Sequence, residues 1–244
     1  MFVSFIVPAW NEEKVITECL QHIDAAVAAC QDLLADKGAV ERIVVDNNSA
    51  DNTAELAEQA GARVVFEPQN QIARARNAGA KAAQGEWLIF IDADSHLSAG
   101  LLRDTLRLIA EGQFIGCGSL MHMDDVPFSF RLSFRIWSWI SRVKRWAAGS
   151  YVMCRADAFN ALGGFNEELF ASEEIEFSRR INKYARKQGL QFTVLTEHPL
   201  WTSGRKATLY SKGELWKQFM HLVLHPINSI KSRSGLPVWY DGRR

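Results

Sequence analysis

The sequence carries no excess of either charge: 28 Lys and Arg are matched by 28 Asp and Glu. It also has no long basic run, and together these give no footing for nucleic-acid binding. Its four cysteines, Cys19, Cys30, Cys117 and Cys154, are scattered. No C-x-x-C pair exists to build a zinc knuckle, and the density is far below that of a secreted disulfide framework. Reduced thiols in a cytoplasmic protein are the expectation. No uncharged apolar run reaches the roughly 18 residues of a membrane span. The apolar start Met1–Val7 lacks a basic leader and runs into Pro8 and Asn11-Glu12-Glu13, so it reads as a first strand and not as a signal peptide. Neither G-x-G-x-x-G nor G-x-x-x-x-G-K-[ST] occurs, which removes a dinucleotide-binding turn and a P-loop.

What is present is a chain of 244 residues, 48% hydrophobic, enough for one large domain or a domain with an appended subdomain. The first hundred residues alternate strand and helix signals. Strands are expected at Phe2–Val7, Glu41–Val45, Arg63–Phe66 and Trp87–Ile91. Helices are expected from Asn11 as cap to about residue 35, stopped by Asp36-Lys37-Gly38, from Asp51 to Ala60, and over Ile72–Ala83. This rhythm predicts a parallel sheet with helices on both faces. Ligands of such sheets bind outside the carboxyl ends of the strands. Three polar sets fall at that edge: Pro8-Ala9-Trp10-Asn11-Glu12, Asp46-Asn47-Asn48-Ser49 and Asp92-Ala93-Asp94.

The last of these is the most informative. A short apolar strand ends in two carboxylates one residue apart, and strand pleating places residues i and i+2 on the same side. Paired carboxylates suit Mg2+ or Mn2+ together with phosphate oxygens. The same pair would also serve as an ordinary strand-end turn.

Beyond residue 114 the pattern changes. Phe128–Trp146 mixes aromatic with basic residues, which fits either a helix packed on the sheet with snorkelling Arg stems or a helix lying at a membrane surface. Tyr151–Arg155 reads as another strand, and Gly163-Gly164-Phe165 as a turn. In Ala171–Arg180, Ser172 is an N-cap candidate and acids fill the first helical turn. Glu174 shares a helical stripe with Phe177, Ile181 and Tyr184, and an inward carboxylate there is costly unless used. Glu176 and Arg180, four apart, can pair on a neighbouring face. Leu215, Phe219 and Leu222 suggest a final helix.

Taken together, these segments resemble the family 2 glycosyltransferases of the GT-A fold. The segments that carry the resemblance are Val7–Glu12, Val44–Thr53, Ala75-Arg76-Asn77-Ala78-Gly79, Phe90–Asp94, Gly163–Glu167 and Glu173–Arg180, in the family's order and spacing. The resemblance implies a Rossmann-like, mostly parallel α/β sheet flanked by helices, with a smaller acceptor-side C-terminal region. It divides into residues 1–113 for the nucleotide-sugar, 114–206 for the acceptor and catalytic base, and a 207–244 helix and tail.

The implied reaction is inverting, metal-dependent transfer from a nucleotide-diphosphate sugar, of UDP or GDP type, to a sugar or lipid-linked acceptor. Glu174 would be the base. Pro8, Ala9, Asn11, Glu12, Asp46, Ser49, Arg76, Asp92, Ala93 and Arg205 would bind the donor. Asp94 would hold Mg2+ or Mn2+, with His198, ahead of His221 and His225, as a further ligand. Gly149, Ser150, Gly164 and Glu173 would form the acceptor side, and Thr202–Lys206 a loop over the diphosphate. The chain departs from the usual pattern in having Glu173-Glu174 in place of Glu-Asp, and Asp46-Asn47-Asn48-Ser49 in place of Asp-Gly-Ser. Two other readings of the residues stand beside this one: a nucleotidyltransferase that makes nucleotide sugars, and a non-catalytic nucleotide-sugar-binding module. The expected location is cytoplasmic, with room for peripheral contact at the inner membrane surface.

Overall fold

The computed structural model describes residues 1–34, 40–123, 138–147, 149–203 and 231. One eight-stranded sheet organises them in the order β3-β2-β1-β4-β7-β6-β8-β5. Its first half is β1 (Val3–Ala9), β2 (Val40–Asp46), β3 (Arg63–Phe66) and β4 (Trp87–Ile91), all parallel. The central strands β1 and β4 are apolar almost throughout because both of their faces are covered. The second half is β5 (Ser95–His96), β6 (Phe114–Met123), β7 (Tyr151–Arg155) and β8 (Gln191–Thr202). Here β7 runs antiparallel between β4 and β6, β8 is parallel to β6, and β5 is antiparallel to β8. The strands from residue 114 onward therefore extend the sheet of β1–β4 directly.

Strand alternation sorts the core into two layers. Val3, Phe5, Val7 and Ala9 of β1 face a cluster with Ile16, Leu20 and Ile23 of α1 (Ile16–Ala29) and Leu101, Leu102 and Leu106 of α4 (Ala99–Ala110). Ile6 faces the other cluster, where α3 (Ile72–Ala82), α5 (Ala156–Ala161) and α6 (Glu173–Lys187) supply Ala73, Ala75, Phe159, Phe177 and Ile181. Phe90, Phe159, Phe165 and Phe177 pack there in tilted and edge-to-face pairs with centroids 4.9–5.4 Å apart. A Cβ on Gly79 would run into Ile6 and Val45, so glycine lets α3 sit close on β1 and β2.

Several expectations change. Asn11 does not cap α1, which starts at Ile16. Asn11 has a left-handed φ of 54°; its backbone N–H donates to Ser49 Oγ at 2.9 Å and its side-chain Oδ1 accepts from Ala50 N at 2.8 Å. It thus clips two sheet-edge loops together. Helix α1 ends at Ala29, and residues 36–38 lie outside the described residues, as do most of Phe128–Trp146, all of 204–206 and Leu215–Leu224. Residues 138–144 are helical. Helix α2 spans Thr53–Gln59. The expectations did not include α4, although Ser98 caps it by accepting from Leu101 N at 3.1 Å. No helix among the described residues is long and apolar enough to cross a membrane.

Candidate active site

A cleft of about 250 Å³ opens at the carboxyl ends of β1, β2 and β4. Pro8, Ala9 and Glu12 line it from the β1 loop, and Asp92, Ala93 and Asp94 from the segment after β4. Because β4 stops at Ile91, a turn and not strand pleating brings the two carboxylates together: Ser95 N donates to Asp92 O at 3.0 Å. On the far side, Asp92 N donates to Ser150 O at 3.3 Å. Asp94 is buried, whereas the Asp92 side chain is 23% exposed.

The opposite wall is the start of α6. Ser172 precedes it in a left-handed conformation and makes no side-chain cap. Glu173, Glu174 and Glu176 nevertheless occupy the first turn, where the helix dipole favours negative charge. Glu173 heads the buried stripe of Phe177, Ile181 and Ala185. Glu174 sits one step round the helix, half-buried, and faces the cleft. The expected stripe through Glu174 is therefore rotated by one residue. Glu176 does pair with Arg180, at 2.7 Å.

Arg76 of α3 joins the two walls. Its Nη1 lies 2.5 Å from Glu173 Oε1 and its Nη2 lies 2.9 Å from Asp92 Oδ1. The guanidinium also sits over the Phe165 ring, 5.5 Å from its centroid. Burial alone would lower the Arg76 pKa, but the charges of Asp92 and Glu173 reverse that and raise it, so it stays cationic. Arg76 lines the cleft, and its two terminal nitrogens tie Asp92 to Glu173 across it. Glu173, expected at the acceptor, lines the cleft and is ion-paired to Arg76.

Burial, then the charge of neighbouring Glu173, pushes the Glu174 carboxyl up to about 8, against the pull of Arg76. Gly149 N donates to Glu174 Oε1 at 3.3 Å. Gly149 has φ +101°, so glycine is suited to that turn. The segment is anchored to α6 by Ala147 N, which donates to Ser178 Oγ at 2.9 Å.

The remaining candidates separate by position. Asn11, Asp46, Ser49 and Ser150 lie behind the lining and shape its loops: Ser49 N donates to Asp46 Oδ1 at 3.1 Å. Gly164 lies away from the lining, where a Cβ would press on Asn77 of α3. His198 is not brought to Asp94. It crosses Gly100 of α4, and its Nδ1 lies 2.8 Å from Asp104, because β8 continues past Leu195 and carries it to that helix. Arg205, His221 and His225 lie outside the described residues.

Trp10, Asn47, Asn70, Phe170 and Ser172 also line the cleft and were missing from the candidates. Asn47 is a buried organiser that donates to Glu67 O (3.0 Å) and Gln69 O (2.7 Å) and accepts from Gln71 N (2.8 Å). Gln71 in turn donates to Glu167 O (2.6 Å) and Leu169 O (2.8 Å), fixing the approach to α6. Trp10 and Asn47 lie within the Val7–Glu12 and Val44–Thr53 segments that carry the family resemblance.

The donor chemistry of the turn suits a hard cation. Burial raises the Cys19 thiol pKa, and the charges of Asp94, Asp92 and Glu12 push it further. Three carboxylates therefore crowd one region, and oxygen donors of this kind suit Mg2+ or Mn2+.

Comparison with known proteins decides the family. The model for Glycosyl transferase family 2 matches residues 4–166. The chain belongs to that family. EpsJ of Bacillus subtilis, an uncharacterized glycosyltransferase, is 30% identical over 130 residues, 50% of this chain and 35% of its own. TarS of Staphylococcus aureus, a poly(ribitol-phosphate) beta-N-acetylglucosaminyltransferase, is 32% identical over 117 residues, 46% of this chain and 19% of its own. The chain thus spans well under half the length of these curated relatives.

In solved structures, TarS 1-349 with UDP-GlcNAc superposes with a TM-score of 0.63 at 23% identity, over 99% of this chain and 71% of that one. The mannosyltransferase PcManGT of Pyrobaculum calidifontis, with GDP-Man and Mn2+, gives 0.64 at 18%, over 98% and 68%. The fold of this family 2 member is the GT-A fold of glycosyltransferases.

Proposed function

We propose that this family 2 chain transfers a sugar from a nucleotide-diphosphate sugar, of UDP or GDP type, to an acceptor hydroxyl with inversion. One observation carries the reading: Glu174, with its raised carboxyl pKa, shares a single cleft with the Asp92–Asp94 turn. The acceptor hydroxyl gives its proton to Glu174 Oε as its oxygen attacks the anomeric carbon. The bond from that carbon to the diphosphate oxygen breaks with it, and the nucleoside diphosphate leaves on the opposite face. A base with a pKa near the working pH suits this step.

Mg2+ or Mn2+, held by Asp94 with Asp92 beside it, would supply charge neutralisation for the departing diphosphate. The Mn2+ in the PcManGT structure supports this. Arg76 is a positioning residue that fixes Asp92 against α6. Pro8, Ala9 and Trp10 form the nucleotide end, and Gly149 and Ser172 the acceptor end, which would take a sugar or lipid-linked hydroxyl. Four buried free cysteines fit a reducing, cytoplasmic setting.

A melting panel of UDP-, GDP-, CMP- and dTDP-sugars with and without Mn2+ tests the donor. A UDP- or GDP-sugar should raise the midpoint in a Mn2+-dependent way, since only the folded state binds it. No shift with any donor contradicts the reading. Donor cleavage in the same mixtures separates an enzyme from a binding module.

A further inference from the structure

We infer that Glu18, His22 and His96 form a second metal site, outside the cleft, for a zinc-type transition ion. Glu18 and His22 stand four apart on α1 and so project from one face. His96 comes from β5. The two imidazoles stack with centroids 4.3 Å apart and planes at 20°. Both Nε2 atoms approach the same oxygen, Glu18 Oε1, at 3.7 Å from His22 and 3.6 Å from His96. All three ligand atoms fall within 4.8 Å of one another.

Separations of 3.6 and 3.7 Å are too long for hydrogen bonds. They are close to the edge of a zinc tetrahedron, about 3.3 Å for bonds of about 2.0–2.2 Å. A small rotation of partly exposed side chains closes the difference. An i, i+4 Glu–His surface pair accounts for Glu18 and His22 only; the third ligand arrives from a different element.

The donor type sets the ion. Two imidazole nitrogens and one carboxylate oxygen favour Zn2+, Ni2+ or Cu2+ over Mg2+, in contrast to the carboxylates of the Asp92–Asp94 turn. The side chains are 38–55% exposed, which leaves a coordination position open to solvent. The elements beneath are fixed: Cys19, Leu20 and Ile23 of α1 are core residues, and β5 is paired to β8 through Ser95 with Thr202 and His96 with Trp201. A bound ion would bolt α1 to the strand that begins one residue after Asp94.

The test is a Zn2+ titration of the full chain, stripped by chelator, against a chromophoric competitor. We expect one high-affinity equivalent. Its affinity should fall at least about tenfold in His22→Gln and in His96→Gln, and stay unchanged in Asp94→Asn. Melting in EDTA should match wild type for both histidine variants, so loss of affinity reports ligation and not unfolding. Co2+ should give the visible bands of a tetrahedral site. Zn2+ binding that survives either histidine variant, or that disappears in Asp94→Asn, overturns the site.

Discussion

Arg76 and Glu173, 97 residues apart in sequence, meet at 2.5 Å with each side chain only 3% exposed. Breaking such a buried pair strands the other charge, at a cost of about 3–5 kcal/mol. Arg76→Met should therefore lower the urea midpoint sharply. Arg76→Met with Glu173→Gln should recover part of that loss, because no full charge is left at Glu173. Additive losses in the double-mutant cycle would mean the two side chains are not coupled.

Gly149 tests the acceptor side. Its φ of +101° is unfavourable for any side chain, and a Cβ would meet Met121. Gly149→Ala should cost about 1–3 kcal/mol in denaturant unfolding. It should also lower kcat more than it weakens donor binding, because Gly149 N touches Glu174. An unchanged kcat would remove this turn from the acceptor end.

Asp94→Asn keeps the size of the side chain and removes its charge. Mn2+-dependent stabilisation by the donor should disappear while the metal-free melting curve stays near wild type. Unchanged Mn2+ dependence in a thermal-shift titration would take Asp94 out of cation binding.

Glu174 makes stability depend on pH in a defined direction. Its carboxyl rises from 4.5 to about 8 on folding, so between these values the folded chain holds a proton that the unfolded chain has released. The contribution is fully present below 4.5 and is lost as pH rises through about 8. Glu174→Gln cannot lose it, so its melting temperature should gain on wild type across that window, by an amount softened by solvent at the cleft mouth. A constant difference at all pH values would show that Glu174 has an ordinary carboxyl pKa.

The parallel half of the fold was legible because its signals are local. Trp87–Ile91 is an unbroken apolar run and matches β4 end for end. The Glu176–Arg180 pair was legible for the same reason, four residues on one helix. Long-range partners were not. Nothing near Arg76 in sequence indicates that Glu173 will neutralise it, and nothing near Asn11 shows that Ser49 and Ala50 will pull it out of a capping role. Adjacent acids also defeat a periodicity argument, since Glu173 and Glu174 both lie near the apolar stripe and only packing decides which is buried. His198 was misplaced because β8 runs on to Thr202 and carries it to α4, next to Asp104.

Glu174→Gln, assayed for donor affinity and transfer rate in the same preparation, bears most directly on proton removal in this cleft. Donor affinity should stay near wild type while transfer slows by about 10²–10⁴-fold. Transfer at the wild-type rate, with donor bound as before, would rule Glu174 out as the base.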